Sequence, residues 1–134
     1  MQNFVRVCSA TAAVATTGFA IYSAQPWGDN YAYQNFTGYL GLILFIAWSI
    51  SPYAFMYGAA AWLPEHPRLM AFRAVVTSVL CISAVAIIFD AVFIHIDAQG
   101  GLVFLFIPFY QWVILGLLEL ASRIISRYAL KQRR

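Results

Sequence analysis

Few residues in this chain can do acid–base or ligand chemistry: of 134 residues, five are Asp or Glu, two are His and two are Cys. The densest group lies in Phe89-Asp90-Ala91-Val92-Phe93-Ile94-His95-Ile96-Asp97, ahead of the turn Ala98-Gln99-Gly100-Gly101. A carboxylate beside an imidazole can move a proton or hold a metal. On a straight α-helix the spacing argues against both. Asp90 and Asp97, seven residues apart, share a face, whereas His95 falls about 140° from Asp90 and about 200° from Asp97. A metal site would need unwinding near Ile94 or ligands from other helices, and the spacing matches no metal-binding motif. Neither a metal nor any other cofactor is expected. His95 and Asp97 read as a polar cluster closing one end of a helix. His66 lies in a separate turn on the other side, so the two histidines cannot be the axial ligands of one haem.

Asp90 follows a long apolar run that starts at Ala74. An acid placed inside such a run costs at least about 2.5–3.5 kcal/mol if the run crosses a bilayer. By helical rise it falls at the depth of Tyr110, Gln111, Thr16 and Thr17, which together form the candidate polar site. Hydroxyls and an amide can hold a carboxylate as a staple between helices. They can also line a proton or cation site open to the outside. A second constellation is Arg73 with Glu119. Each sits about one turn inside the same boundary on consecutive antiparallel segments, which predicts an ion pair, with Arg123 one turn from Glu119 as a competitor.

Other chemistries lack their residues. No nucleophile–base set and no phosphate-binding glycine loop is present, so no catalytic residues are expected and an enzyme is disfavoured. Cys8 and Cys81 form no C-x-x-C motif, and the spans place them at different depths. Pairing is disfavoured, as is thiol redox chemistry.

The elements that position these groups follow from composition. The chain is 63% hydrophobic and 10% charged, with a mean hydropathy of +0.76, whereas soluble domains carry about 25% charged residues. Four apolar runs, approximately 4–24, 36–63, 69–96 and 102–125, are separated by short polar turns. The fold class read from them is all-α, an integral membrane bundle of four transmembrane helices, with residues 1–134 forming a single transmembrane domain. The first run is too long for a signal peptide's apolar core, and Tyr22 is bulky where a cut after Ala24 needs a small residue, so it reads as a retained span. The second run would reach about 42 Å at 1.5 Å per residue, against a hydrocarbon core of about 30 Å. It must tilt, protrude or kink, and Ser49-Ile50-Ser51-Pro52 supplies a bend. Trp27, Tyr31 and Tyr33 mark a headgroup-level belt in the first connection.

Four spans put both termini on one side. All eight basic residues, Arg6, Arg68, Arg73, Arg123, Arg127, Lys131, Arg133 and Arg134, then fall on that side. Lys and Arg excess marks the cytoplasmic face, so both termini are expected there, in an inner or plasma membrane. The net charge of +3 is thereby assigned to orientation and to anionic lipid, not to nucleic acid.

Two function classes remain. The first is a small protein that binds another membrane protein within the bilayer, as an accessory subunit or a protective, immunity-type partner. Short loops and small-residue faces such as Gly58-Ala59-Ala60-Ala61 favour it. The second is a homo-oligomeric transporter or channel for protons, cations or a small molecule, with Asp90, Tyr110 and Gln111 along its path.

Overall fold

The computed structural model describes residues 1–28, 35–62, 67–95 and 100–131, and it is all-helical within them. Helix α1 runs Gln2–Ala24, α2 Phe36–Ala59, α3 Pro67–Phe89 and α4 Gly100–Lys131. A 3-10 turn, Ala60–Trp62, prolongs α2, and a π-helical turn, Asp90–Ile94, prolongs α3. All four helices are long and apolar enough to cross a membrane. The expected runs therefore each hold one helix. The main difference in extent is at α4, which continues beyond residue 125 to Lys131. Ala129, Leu130 and Lys131 are good helix formers, so the helix persists where the apolar run ends.

Helix α1 packs on α2 and α3, and α4 packs on the same two. The helices thus stand in the order α1–α2–α4–α3 around the bundle, with α1 and α4 at opposite corners. Three layers fill it. Val5, Ala60 and Ala74 pack at the end that carries the chain termini. Ala12, Tyr53, Met56, Leu80, Cys81, Ala84 and Leu115 form the middle. Ala20, Ile88 and Phe104 close the far end. Helix α1 gives Ala12 and Ala20 to the middle and far layers, which lets its neighbours approach closely there. Helix α2 continues past the far layer. Phe45 packs against the far layer, so the turns from Phe36 to Leu44 stand about 13 Å beyond it. Phe36, Ile43 and Leu44 are exposed there.

Helices α2 and α4 each carry an internal proline. Pro52 and Pro108 are both fully buried. Each lacks an N–H, and each leaves the carbonyl four residues earlier without its helical donor. Those carbonyls belong to Trp48 and Phe104, and serines of α2 serve both. Ser51 Oγ donates to the Trp48 carbonyl at 2.8 Å. Ser49 Oγ reaches the Phe104 carbonyl at 3.2 Å while also bonding Phe45 on its own helix at 2.9 Å. Trp48 Nε1 donates to the Leu105 carbonyl at 3.2 Å, and Trp112 Nε1 to Ser51 Oγ at 3.0 Å. In a medium without water every such group needs a protein partner. The serines read from the sequence as a bend in α2 are therefore also the polar seam between α2 and α4.

Candidate functional sites

Three polar groups occur at three heights. In the middle, Thr16 Oγ1 donates to Tyr53 OH at 3.3 Å, and both side chains are buried. Gln111, also buried, donates through Nε2 to the Leu80 carbonyl at 3.5 Å. It lies beside Tyr53, with its Oε1 left without a hydrogen-bond partner. One residue from each helix thus meets at the bundle centre: Thr16 on α1, Tyr53 on α2, Leu80 on α3 and Gln111 on α4. Beneath them Cys81 Sγ contacts Met56 Sδ at 3.6 Å, and both cysteines are free thiols. Tyr53 escapes a reading of the sequence because it looks like one more aromatic in an apolar run. The available signal was its phenol, which cannot enter such a core without a partner.

Asp90 does not join this group. Gln111 reaches the level of Leu80, which is about 15 Å along α3 from Asp90. Thr17 turns back onto its own helix, bonding the Ala13 carbonyl at 2.8 Å. Tyr110 points outward and is 60% exposed. The expected site of Asp90, Tyr110, Gln111, Thr16 and Thr17 is therefore dispersed, with only Thr16 and Gln111 close to one another. Helical order on α3 among the described residues ends at Ile94 and α4 begins at Gly100, so Asp90 stands in the last turn of one helix while Gln111 lies about three turns into the other.

There Asp90 meets His95. The His95 Nδ1 lies 3.0 and 3.1 Å from the two Asp90 carboxylate oxygens. The His95 amide also donates to the Asp90 carbonyl at 2.8 Å. This five-residue hydrogen bond defines a π turn. The wider turn brings residues i and i+5 over one another, and the offset expected from a straight α-helix disappears. The expectation that His95 and Asp90 diverge is thus corrected by the change in helical pitch. The two side chains are 77% and 50% exposed, so the pair lies on the surface of the bundle. Phe93, inside the same turn, packs its ring against Phe19 and Tyr22 of α1 at 5.6 and 5.1 Å. These aromatic contacts hold the turn to the bundle. Asp97 and His66 lie outside the described residues, as do Tyr31 and Tyr33. Among the described residues no group of three or more His, Cys, Asp or Glu could hold a metal.

At the end carrying the termini, Arg73 donates to Glu119 Oε2 at 2.7 Å. Arg123 donates through Nε to Oε1 at 3.3 Å. The predicted contact is present, and the competitor shares it, so one carboxylate serves two guanidinium groups. Arg73 is largely buried, with Thr77, Val5 and Met56 lining the small cavity beside it. Arg6 lies at the same end, 5.6 Å from the Tyr57 ring centre, a cation–π distance.

Between the middle and far polar groups stands the apolar layer of Ala20, Ile88 and Phe104. The arrangement suits hydrogen-bonded stapling between helices better than carriage of an ion along the bundle axis. No family model, curated protein or solved structure matches this chain.

Proposed function

We propose that this chain acts inside the bilayer by binding another membrane protein, as an accessory subunit or a protective, immunity-type partner, with both termini on the cytoplasmic side. The orientation rests on the basic residues: Arg6, Arg73 and Arg123 share one end of the bundle, and none of the eight Lys and Arg falls in the sequence of the two connections 25–35 and 97–101.

The interaction reading is carried by the outer face of α2. Ala47, Ala54, Gly58 and Ala61 are exposed and lie on one narrow stripe at helical spacing. The buried residues of that helix, Ser49, Pro52, Tyr53 and Met56, face the other way. A Cβ placed on Gly58 would meet nothing within 4 Å, so internal packing makes no use of its smallness. Small residues spaced four apart let a second helix backbone approach closely in lipid, where packing and not water exclusion drives association. Only 22% to 28% of the most apolar stretch of each span is buried inside the bundle, which leaves ample surface for a partner.

The transporter reading draws on Asp90, whose place in the final turn of α3, beyond the far apolar layer, gives it little support. The test is gentle extraction from native membranes and measurement of native mass, for the parent and for Gly58→Leu. A stoichiometric foreign membrane protein, lost in Gly58→Leu while the bundle stays folded, is expected. A homo-oligomer would move the reading to the transporter class. A lone chain in both samples would overturn the proposal.

A further inference from the structure

A groove of about 320 Å³ runs along the outside of the α2–α4 contact, lined by Phe55, Trp112, Leu115, Gly116, Leu120 and the Glu119–Arg123 pair. Its volume falls at the low end of small-molecule sites. One wall is an aromatic pair, Phe55 and Trp112, whose ring centres lie 5.2 Å apart, in contact with each other. Its depth comes from Gly116, where an added Cβ would meet nothing within 4 Å. Trp112, Gly116, Glu119 and Arg123 follow one another at three- and four-residue steps, so they line a single face of α4.

The two ends of this trough differ in chemistry. Trp112, Gly116 and Leu120 are apolar and lie within the span, while Arg123 is close to the end of that span at Ile125 and therefore at headgroup depth. The mouth carries a surplus of charge. Glu119 is one anion bonded by two cations, Arg73 and Arg123. The Arg123 side chain is 72% exposed, and its bond to Glu119 uses Nε, one of five guanidinium donors. Glu119 also fixes the direction of Arg123, so less order must be imposed when an anion arrives.

We propose that this groove is a binding site for one anionic phospholipid, with the phosphate on Arg123 and one acyl chain laid on Gly116 alongside the Phe55–Trp112 ring pair. Charge complementarity selects the occupant: a net positive mouth at headgroup depth favours a lipid whose headgroup has no cation of its own. The apolar trough leading inward from that mouth distinguishes a lipid from a free phosphate. The inference does not rest on the outer stripe of α2, and either can fail without the other.

The test uses the full chain in detergent. Native mass spectrometry compares phosphatidylglycerol with phosphatidylcholine of the same acyl chains, and with inorganic phosphate. Phosphatidylglycerol is expected to be retained at least about tenfold better than either. Arg123→Gln and Gly116→Leu should each abolish that preference, whereas Arg133→Gln, which removes the same charge from the tail, should keep it. Equal retention of the two lipids would overturn the proposal. So would phosphate binding as tight as the lipid, or a preference unmoved by Gly116→Leu. Should Gly116→Leu fail to fold, fluorescence decides: phosphatidylglycerol with brominated chains should quench tryptophan more than the matching phosphatidylcholine. Trp112→Phe should remove that excess, and an excess that survives it would refute the site.

Discussion

Ser49 and Pro108 make a pair whose coupling can be worked out from the structure. Proline at position 108 deprives the Phe104 carbonyl of its helical donor, and Ser49 Oγ stands 3.2 Å from that carbonyl. Ser49 and Phe104 are each 1% exposed, so neither water nor a lipid headgroup can substitute. Ser49→Ala removes one oxygen and opens almost no cavity, which leaves the lost hydrogen bond as the main effect. A buried unpaired polar group costs about 1–3 kcal/mol in soluble proteins, while hydrogen bonds between membrane helices average about 0.6 and reach about 1.7 kcal/mol. Ser49 also bonds Phe45 on its own helix, but the Phe45 carbonyl keeps its normal helical donor and loses little. The expected cost of Ser49→Ala is therefore about 1–1.5 kcal/mol. In a Pro108→Ala background the restored amide can serve Phe104, and the same change should cost under about 0.5 kcal/mol. The assay is a four-protein cycle of reversible unfolding by SDS titration in mixed micelles, followed by helical circular dichroism. Equal cost of Ser49→Ala in both backgrounds would refute the reasoning, because the hydroxyl would then not be acting through the carbonyl that proline leaves exposed.

The Arg73–Glu119–Arg123 group should respond asymmetrically in the same assay. Glu119→Leu strands a buried arginine and should cost about 3 kcal/mol, whereas Arg73→Met leaves Glu119 with Arg123 and should cost about 1 kcal/mol or less; equal losses would show that Arg123 does not compensate. Thr16→Val should cost about 0.6 kcal/mol and Tyr53→Phe somewhat more, because the phenol meets Gln111 as well as Thr16, and the double variant should cost scarcely more than Tyr53→Phe alone; simple additivity would mean the two hydroxyls act separately. His95→Ala should speed amide exchange through Asp90–Ile94 while changing global stability by no more than about 1 kcal/mol, because the pair is exposed; unchanged exchange in that turn would mean the side-chain contact does not hold it.

The reach of the sequence differed from one residue to the next. The spans were legible because polar turns interrupt apolar runs too long for buried strands. Arg73 and Glu119 were legible together because two helices joined by a short turn must place equal distances from their far ends at equal depth. The same counting misplaced Asp90, since it assumed one helical pitch throughout and took α3 to residue 96. A π turn changes the pitch, and with it the direction of His95, and nothing in Asp-Ala-Val-Phe-Ile announces the change. Tyr53 was hidden for another reason. Whether an aromatic inside an apolar run faces lipid or core depends on the rotation of its helix, and α2 is apolar all round. The exchange of carbonyls and serines between α2 and α4 was half visible. Pro52 and Pro108 each declare an orphan carbonyl, but which hydroxyl serves it depends on the register between two helices that the sequence does not connect directly.

The ion pair at the terminal end also bears on how the chain is made. Arg73 precedes Glu119 by 46 residues. At about 5–20 residues per second of synthesis, roughly 2–9 s pass before the arginine's partner exists. During that interval α3 offers the bilayer an unneutralised guanidinium one turn inside its apolar stretch, a burden below the roughly 2.5–3.5 kcal/mol of a charge at the helix centre. The third helix therefore gains from waiting at the insertion machinery or the membrane surface until the fourth emerges, and then entering with it as a hairpin. A ribosome that stalls between the two leaves a nascent chain whose third span is poorly anchored and open to membrane proteases. The Arg73–Glu119 contact can therefore form only after α4 has been made.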